Sequence, residues 1–333
     1  MGRGLPELVI ETAGLRKTFR SLTRPPRVAV DGLDLAVPRG GVHGFLGPNG
    51  AGKTTTLRLL LGLVHADAGQ MRMLGEPVPA RLPAVMGRIG ALVESPQFFP
   101  AFSGRRNLAL LAAARGLPAA RVEEVLDVVE LRDRAADRYR GYSLGMKQRL
   151  GVAACLLARP DLLVLDEPAN GLDPAGIRDM RRLLRRVADE GATVLLSSHL
   201  LGEVQQVCDS VSILDRGRAL VSGPVHQVLT GRGGAALRVG LADLDAGHRV
   251  LQAAGLAVRR EPDHLRVEGV SDGAQVSALL GGQGLWVREL TALAPDLETV
   301  FLAVTGRTET AGPEAAGAEA AGPETGRTEE VVS

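Results

Sequence analysis

Short unbroken apolar runs alternate along the chain with amphipathic stretches, and turn-forming residues separate them. Val42-His43-Gly44-Phe45-Leu46 is one such run, and its length predicts a buried strand. A turn holding three glycines follows at 47–52, after which Thr55-Thr56-Leu57-Arg58-Leu59-Leu60-Leu61 opens an apolar helical pattern. Residues 8–46 read as strands separated by a basic loop at 20–27, with a β segment at 33–37. Further strands are expected at 70–74, 89–93, 161–165, 193–196 and 211–214. Ile177, Met180, Leu184, Val187 and Ala188 mark one face of an amphipathic helix. Between about 104 and 158 the pattern changes: 108–115, 120–131 and 145–157 all carry helical periodicity with no strand between them. Alternating strands and helices imply an α/β fold with a largely parallel sheet, and the helical stretch reads as an insertion into that core.

Beyond residue 230 the pattern weakens. Residues 230–234 form a glycine-rich linker, then strand-like segments at 237–239 and 265–267 alternate with helical ones near 246–254 and 274–280. The expected organisation is a domain over 1–230 with a helical subdomain at about 95–158, a small α+β domain over 231–306, and a tail over 307–333. The tail repeats Ala-Gly-Pro-Glu at 311 and 321 and is too poor in large apolar side chains to bury a core, so it is expected to be disordered.

Composition narrows the class of function. A hydrophobic fraction of 45% with 23% charged residues fits a globular protein with a sizeable core. The net charge of +1 argues against nucleic-acid binding driven by bulk electrostatics, and no nucleic-acid partner is expected. Cys155 and Cys208 are too few and too isolated for a disulfide framework or a zinc site, so both read as reduced core thiols. No signal peptide is expected, because the first residues lead straight into a strand pattern. The most apolar window, 150–165, is interrupted by Arg159, Pro160 and Asp161. Work at a membrane would therefore need another chain to provide the channel.

The candidate chemistry starts at the glycine-rich turn. Gly47, Gly50 and Gly52 let backbone amides turn inward around a polyphosphate. Lys53 then reaches the β and γ phosphates, Thr54 offers a hydroxyl to Mg²⁺, and the following helix presents its positive N-terminus. Only Lys17, Lys53 and Lys147 are lysines among 39 basic residues, so a chain that writes its cations as arginine has placed a compact ammonium here. Leu162-Leu163-Val164-Leu165-Asp166-Glu167 is a buried strand ending in adjacent carboxylates. Asp166 is positioned to serve Mg²⁺, and Glu167 to orient or deprotonate an attacking water. His199 follows the strand at 193–197, so two strands end in polar residues on one edge of a parallel sheet, where α/β proteins bind ligands. Ser143 is placed to cap the helix that follows it, leaving the amide end of that helix available to an anion.

Taken together and in this order, these residues resemble the ATPase subunit of an ABC transporter over roughly residues 8–230. The resemblance implies a P-loop NTPase core that binds ATP and Mg²⁺ through Gly47, Pro48, Asn49, Gly50, Ala51, Gly52, Lys53, Thr54 and Thr55. It implies that Asp166 and Thr54 serve the metal, Glu167 is the catalytic carboxylate and His199 the switch histidine. Phe19 matches the aromatic that stacks on adenine, Asp173 falls in the D-loop, and Ser143 and Gly145 fall in the signature motif. Leu144 and Met146 depart from that motif, standing where the family usually has glycine and glutamine. The position of the usual Q-loop glutamine is Glu94, which resembles the branch that exports bacteriocin-like and lantibiotic peptides and is expected to meet Mg²⁺ or water. Residues 296–302 are similar to the closing pattern of the C-terminal extension in ATPases of drug and antibiotic exporters. The family further implies a head-to-tail homodimer that sandwiches two ATP molecules and drives a separate membrane permease from its cytoplasmic face. The alternatives are an importer ATPase and a non-transport ATPase acting on ribosomes or DNA.

Overall fold

The computed structural model describes residues 7–305 except 22, 24, 95, 233–235, 271, 294 and 295. Residues 233 and 234 of the expected linker and all of the tail at 307–333 thus lie outside the described backbone, and a helix over Val225–Arg232 covers the start of that linker.

Two sheets form the larger body. The first is antiparallel, in the order β2-β1-β4-β5, from β1 (Leu8–Phe19), β2 (Arg27–Pro38), β4 (Ala68–Met73) and β5 (Glu76–Val78). The second has six strands in the order β10-β9-β3-β8-β7-β6: β3 (Val42–Leu46), β6 (Ile89–Leu92), β7 (Leu162–Asp166), β8 (Thr193–Ser198), β9 (Ser210–Asp215) and β10 (Arg218–Pro224). Its pairings are parallel except for the β9–β10 hairpin. β3, β7 and β8 are buried along their whole length, which is why they read as apolar runs rather than alternating ones. The one polar side chain of β3, His43, is satisfied on both ring nitrogens by Ser210 Oγ at 2.8 Å and Ser212 Oγ at 3.0 Å. Burial pushes its pKa down to about 4, so it sits in the strand as a neutral ring.

One core lies on the side of the antiparallel sheet, where Phe45 and Val164 pack with Leu57, Leu59 and Leu60 of α1 (Lys53–Leu60). The other lies on the opposite side. It contains α6 (Pro174–Asp189) and the helical insertion α3 (Gly104–Ala114), α4 (Ala120–Val128) and α5 (Leu144–Leu156). The helical insertion thus contains no strand among its described residues, as its periodicity predicts. A short α2 (Leu82–Met86) precedes β6, and α7 (Leu201–Gln205) follows β8.

A four-stranded antiparallel sheet, in the order β12-β13-β11-β14, has a third core of its own. It comprises β11 (Ala236–Gly240), β12 (Ala257–Arg260), β13 (Leu265–Glu268) and β14 (Glu289–Leu293), with α9 (Leu244–Ala253) and α10 (Gly273–Gly281) against it. The last helix, α11 (Leu297–Thr305), does not join this core. Its Leu297 and Val300 are buried in the large core beside α8 (Val225–Arg232), and the Leu297 amide donates to Gln205 Oε1 of α7 at 2.9 Å. Residues 296–302, whose pattern suggests only the end of an extension, therefore tie the extension back onto the larger body.

Candidate functional site

β3 delivers the glycine-rich turn to the sheet edge, and α1 leaves it at once. The residue before α1 is Gly52 in a left-handed conformation, φ 105°, and it makes no side-chain cap hydrogen bond. A Cβ there would strike the Ala29 carbonyl of β2, so only glycine lets the loop lie this close to the neighbouring sheet. With no side chain capping them, the first amides of α1 are directed at whatever the loop encloses.

A cleft of about 390 Å³ opens at this loop. Pro48, Asn49, Gly50, Gly52, Lys53, Thr54 and Thr55 line it together with Phe19, Glu167 and His199. Gly47 and Ala51 shape the loop without lining the cleft. The Gly47 carbonyl accepts from Lys53 Nζ at 2.6 Å, and the Ala51 amide and carbonyl bond to Pro48 and Gly217. Lys53 is only 6% exposed, and its ammonium also lies 3.2 Å from Glu167 Oε1.

Glu167 is the best-held group in the cleft. It has φ 50°, a left-handed backbone for a residue with a side chain, which is the kind of strain that persists where surrounding contacts over-determine it. Those contacts are present. Its amide donates to Ser197 O at 3.2 Å and Ser197 Oγ at 3.1 Å, and His199 Nδ1 lies 2.8 Å from Oε2. The carboxylate is thus fixed between an ammonium and an imidazole. Ser197 Oγ also donates to Asp166 Oδ1, which leaves the buried Asp166 carboxylate its second oxygen. One hydroxyl therefore orients both adjacent acids.

No cluster of three or more His, Cys, Asp and Glu side chains able to hold a metal occurs among the described residues. A cation shared between the Thr54 hydroxyl, Asp166 and phosphate oxygens matches the way Mg²⁺ binds, with few protein ligands and the rest from substrate and water.

Glu94 departs from expectation. It has φ 74° and its side chain is 63% exposed, outside the cleft, with its carboxylate captured by the Arg58 guanidinium of α1. The ion pair holds the carboxylate on the flank of α1, apart from the residues that line the cleft.

Ser143, Gly145 and Asp173 also stand apart. They line a second cleft, again about 390 Å³, that shares no lining residue with the first. Two helix N-termini meet there. Ser143 Oγ caps α5 by accepting from the Met146 amide at 3.3 Å, and Asp173 Oδ1 caps α6 by accepting from the Gly176 amide at 2.9 Å. Leu144, 47% exposed, lies beside Gly171, where an added Cβ would be 3.1 Å from Leu144 Cδ2. Sequence reasoning missed Arg27, Ala29 and Asn170, which line the first cleft, and Ser197. Ser197, two residues before His199, was the one whose position on the same strand end offered a signal.

The family model described as ABC transporter matches residues 30–170. The bacitracin transport ATP-binding protein BcrA of Bacillus licheniformis is 43% identical over 218 residues, 65% of this chain and 70% of that protein. The daunorubicin/doxorubicin resistance ATP-binding protein DrrA of Streptomyces peucetius is 36% identical over 313 residues, 90% of this chain and 93% of that protein. A solved structure of the ATP-binding subunit of an ABC transporter superimposes with a TM-score of 0.58 at 27% identity. It covers 68% of this chain and 93% of that one. The chain belongs to the ATP-binding subunits of the ABC transporter family.

Proposed function

We propose that this ABC transporter ATP-binding subunit hydrolyses ATP to power export of a drug- or antibiotic-like compound through a separate membrane permease. Among the described residues no helix is long and apolar enough to cross a membrane, so the path for the compound belongs to the permease. The relatives named for bacitracin transport and for daunorubicin resistance support the exporter reading. The observation that carries the hydrolytic part is Glu167, held between Lys53 and His199 at the mouth of the phosphate-loop cleft.

In this mechanism Phe19, 41% exposed at the rim, stacks on the adenine. The loop amides and Lys53 take the phosphates, Lys53 exchanging its contacts with the Gly47 and Pro48 carbonyls for phosphate oxygens. Thr54 and Asp166 would hold Mg²⁺, which when bound would supply positive charge against the phosphates. Glu167 accepts a hydrogen bond from water and turns its lone pair toward the γ-phosphorus. His199 keeps the Glu167 carboxylate in place and donates to the charge that develops on the transferred group. Ser143 and Gly145, in a cleft that shares no residue with this one, serve the γ-phosphate of a second copy of the chain, so the working unit is a head-to-tail homodimer with two sites at the cytoplasmic face of the membrane.

The test is steady-state hydrolysis by wild type beside Glu167→Gln, with MgATP affinity measured on both. Loss of the base lowers turnover by about 10² to 10³-fold while binding is retained. Equal turnover would sink the assignment. Drug resistance conferred by co-expression with a membrane permease, lost in the same variant, tests the exporter part.

A further inference from the structure

We infer that Arg27 is a second phosphate-binding cation, one that grips the phosphate tail of the nucleotide from the β2 side of the loop. Arg27 opens β2 and is the direct cross-strand partner of Phe19 in β1, and both line the cleft. Ala29, two residues further along β2, also lines it, where its carbonyl backs Gly52. The ribbon carrying Phe19 therefore also carries a guanidinium into the site.

That guanidinium is aimed at the loop. Arg27 Nη2 lies 3.2 Å from where a Cβ on Gly50 would sit, and Gly50 has φ 83°. Glycine at 50 thus serves two ends: it permits the turn and leaves the space the guanidinium occupies. The electrostatics point the same way. Lys53 has part of its charge offset by Glu167 at 3.2 Å, whereas the Arg27 side chain forms no ion pair or hydrogen bond with any described residue. Arg16, Lys17 and Arg218, on the same pair of strands or beside them, are held by Asp31 and Asp67. An unengaged arginine facing a phosphate loop offers a planar fork of donors, the geometry that suits phosphate oxygens.

The inference rests on the reading of this cleft as the nucleotide site and assigns Arg27 to affinity for phosphates, not to the hydrolytic step. The experiment is equilibrium titration of the full chain, wild type, Arg27→Gln and Arg27→Lys, with MgATP, MgADP and adenosine, joined to steady-state kinetics. Arg27→Gln is expected to weaken MgATP and MgADP about tenfold, to leave adenosine binding unchanged, and to raise KM with kcat retained. Arg27→Lys should recover part of the loss. Unchanged MgATP affinity in Arg27→Gln overturns the inference. An equal loss for adenosine also overturns it, since Arg27 would then only be supporting Phe19. Lys53→Ala run in parallel separates the two levels: if it binds MgATP as wild type does, the site reading itself fails, whatever Arg27 shows.

Discussion

The two clefts of equal volume are built on opposite principles. The phosphate-loop cleft gathers charge at the ends of β3, β7 and β8: an ammonium, a carboxylate, an imidazole and a guanidinium, each arriving from a different element. The second cleft gathers backbone. Its Ser143 and Asp173 side chains are spent capping α5 and α6, and it offers the positive ends of two long helices flanked by Leu144 and Leu172. The first has the groups for chemistry, and the second has helix-end donors for an anion, its acids Asp173 and Asp179 being engaged by the Gly176 amide and by Arg182. A division of this kind within one chain makes sense if each cleft completes the other across a dimer.

The contrast breaks most visibly at Lys53. Lys53→Ala should lower MgATP affinity at least a hundredfold, since it removes a buried charged partner of the phosphates, whereas Ser143→Ala should leave affinity of the isolated chain unchanged and lower turnover about tenfold. Titration with a fluorescent ATP analogue beside a phosphate-release assay reads both, and a loss of affinity in Ser143→Ala would merge the clefts into one site. A smaller effect concerns Glu94. Because Arg58 holds its carboxylate outside the cleft, Glu94→Gln should change MgATP affinity less than threefold, about 0.6 kcal/mol, as expected of an exposed ion pair. A large loss would bring Glu94 back to the phosphates.

The smallest effect at neutral pH lies behind the first cleft. His43 has a pKa lowered from 6.5 to about 4 by burial. Protonation is therefore favoured in the unfolded chain: the stability is fully present above pH 6.5 and is lost as pH falls toward 4. Across that window His43 should account for about 3 kcal/mol of the acid destabilisation. Chemical denaturation of wild type and His43→Gln at several pH values checks this, the difference between them shrinking or reversing as pH falls. A pH-independent difference would mean that the ring titrates normally.

Much of the first cleft was legible in the sequence because its parts are local: a strand, three glycines and a lysine lie within a dozen residues, and Asp166 and Glu167 end a strand made only of apolar residues. His199 was legible because strand ends in parallel sheets converge. Arg27 was not, since its role depends on the β1–β2 register that sets it opposite Phe19. Ser197 was hidden for a similar reason, its hydroxyl serving acids 30 residues away on a neighbouring strand. The ion pair that holds Glu94 outside the cleft was not legible, because its partner, Arg58, is 36 residues distant and enters no motif. In the extension, β14 escaped notice as a short, mostly exposed edge strand. The apolar period of α11 gave no hint that its destination was α7.

Mixing two inactive variants tests the central claim most directly. In a head-to-tail dimer of Lys53→Ala with Ser143→Arg, one site inherits both lesions and the other inherits none. The mixture should regain roughly a quarter of wild-type ATPase activity, half of the dimers being mixed with one intact site each. A mixture as inactive as its components would contradict the account and place both clefts in service of nucleotides bound within one chain.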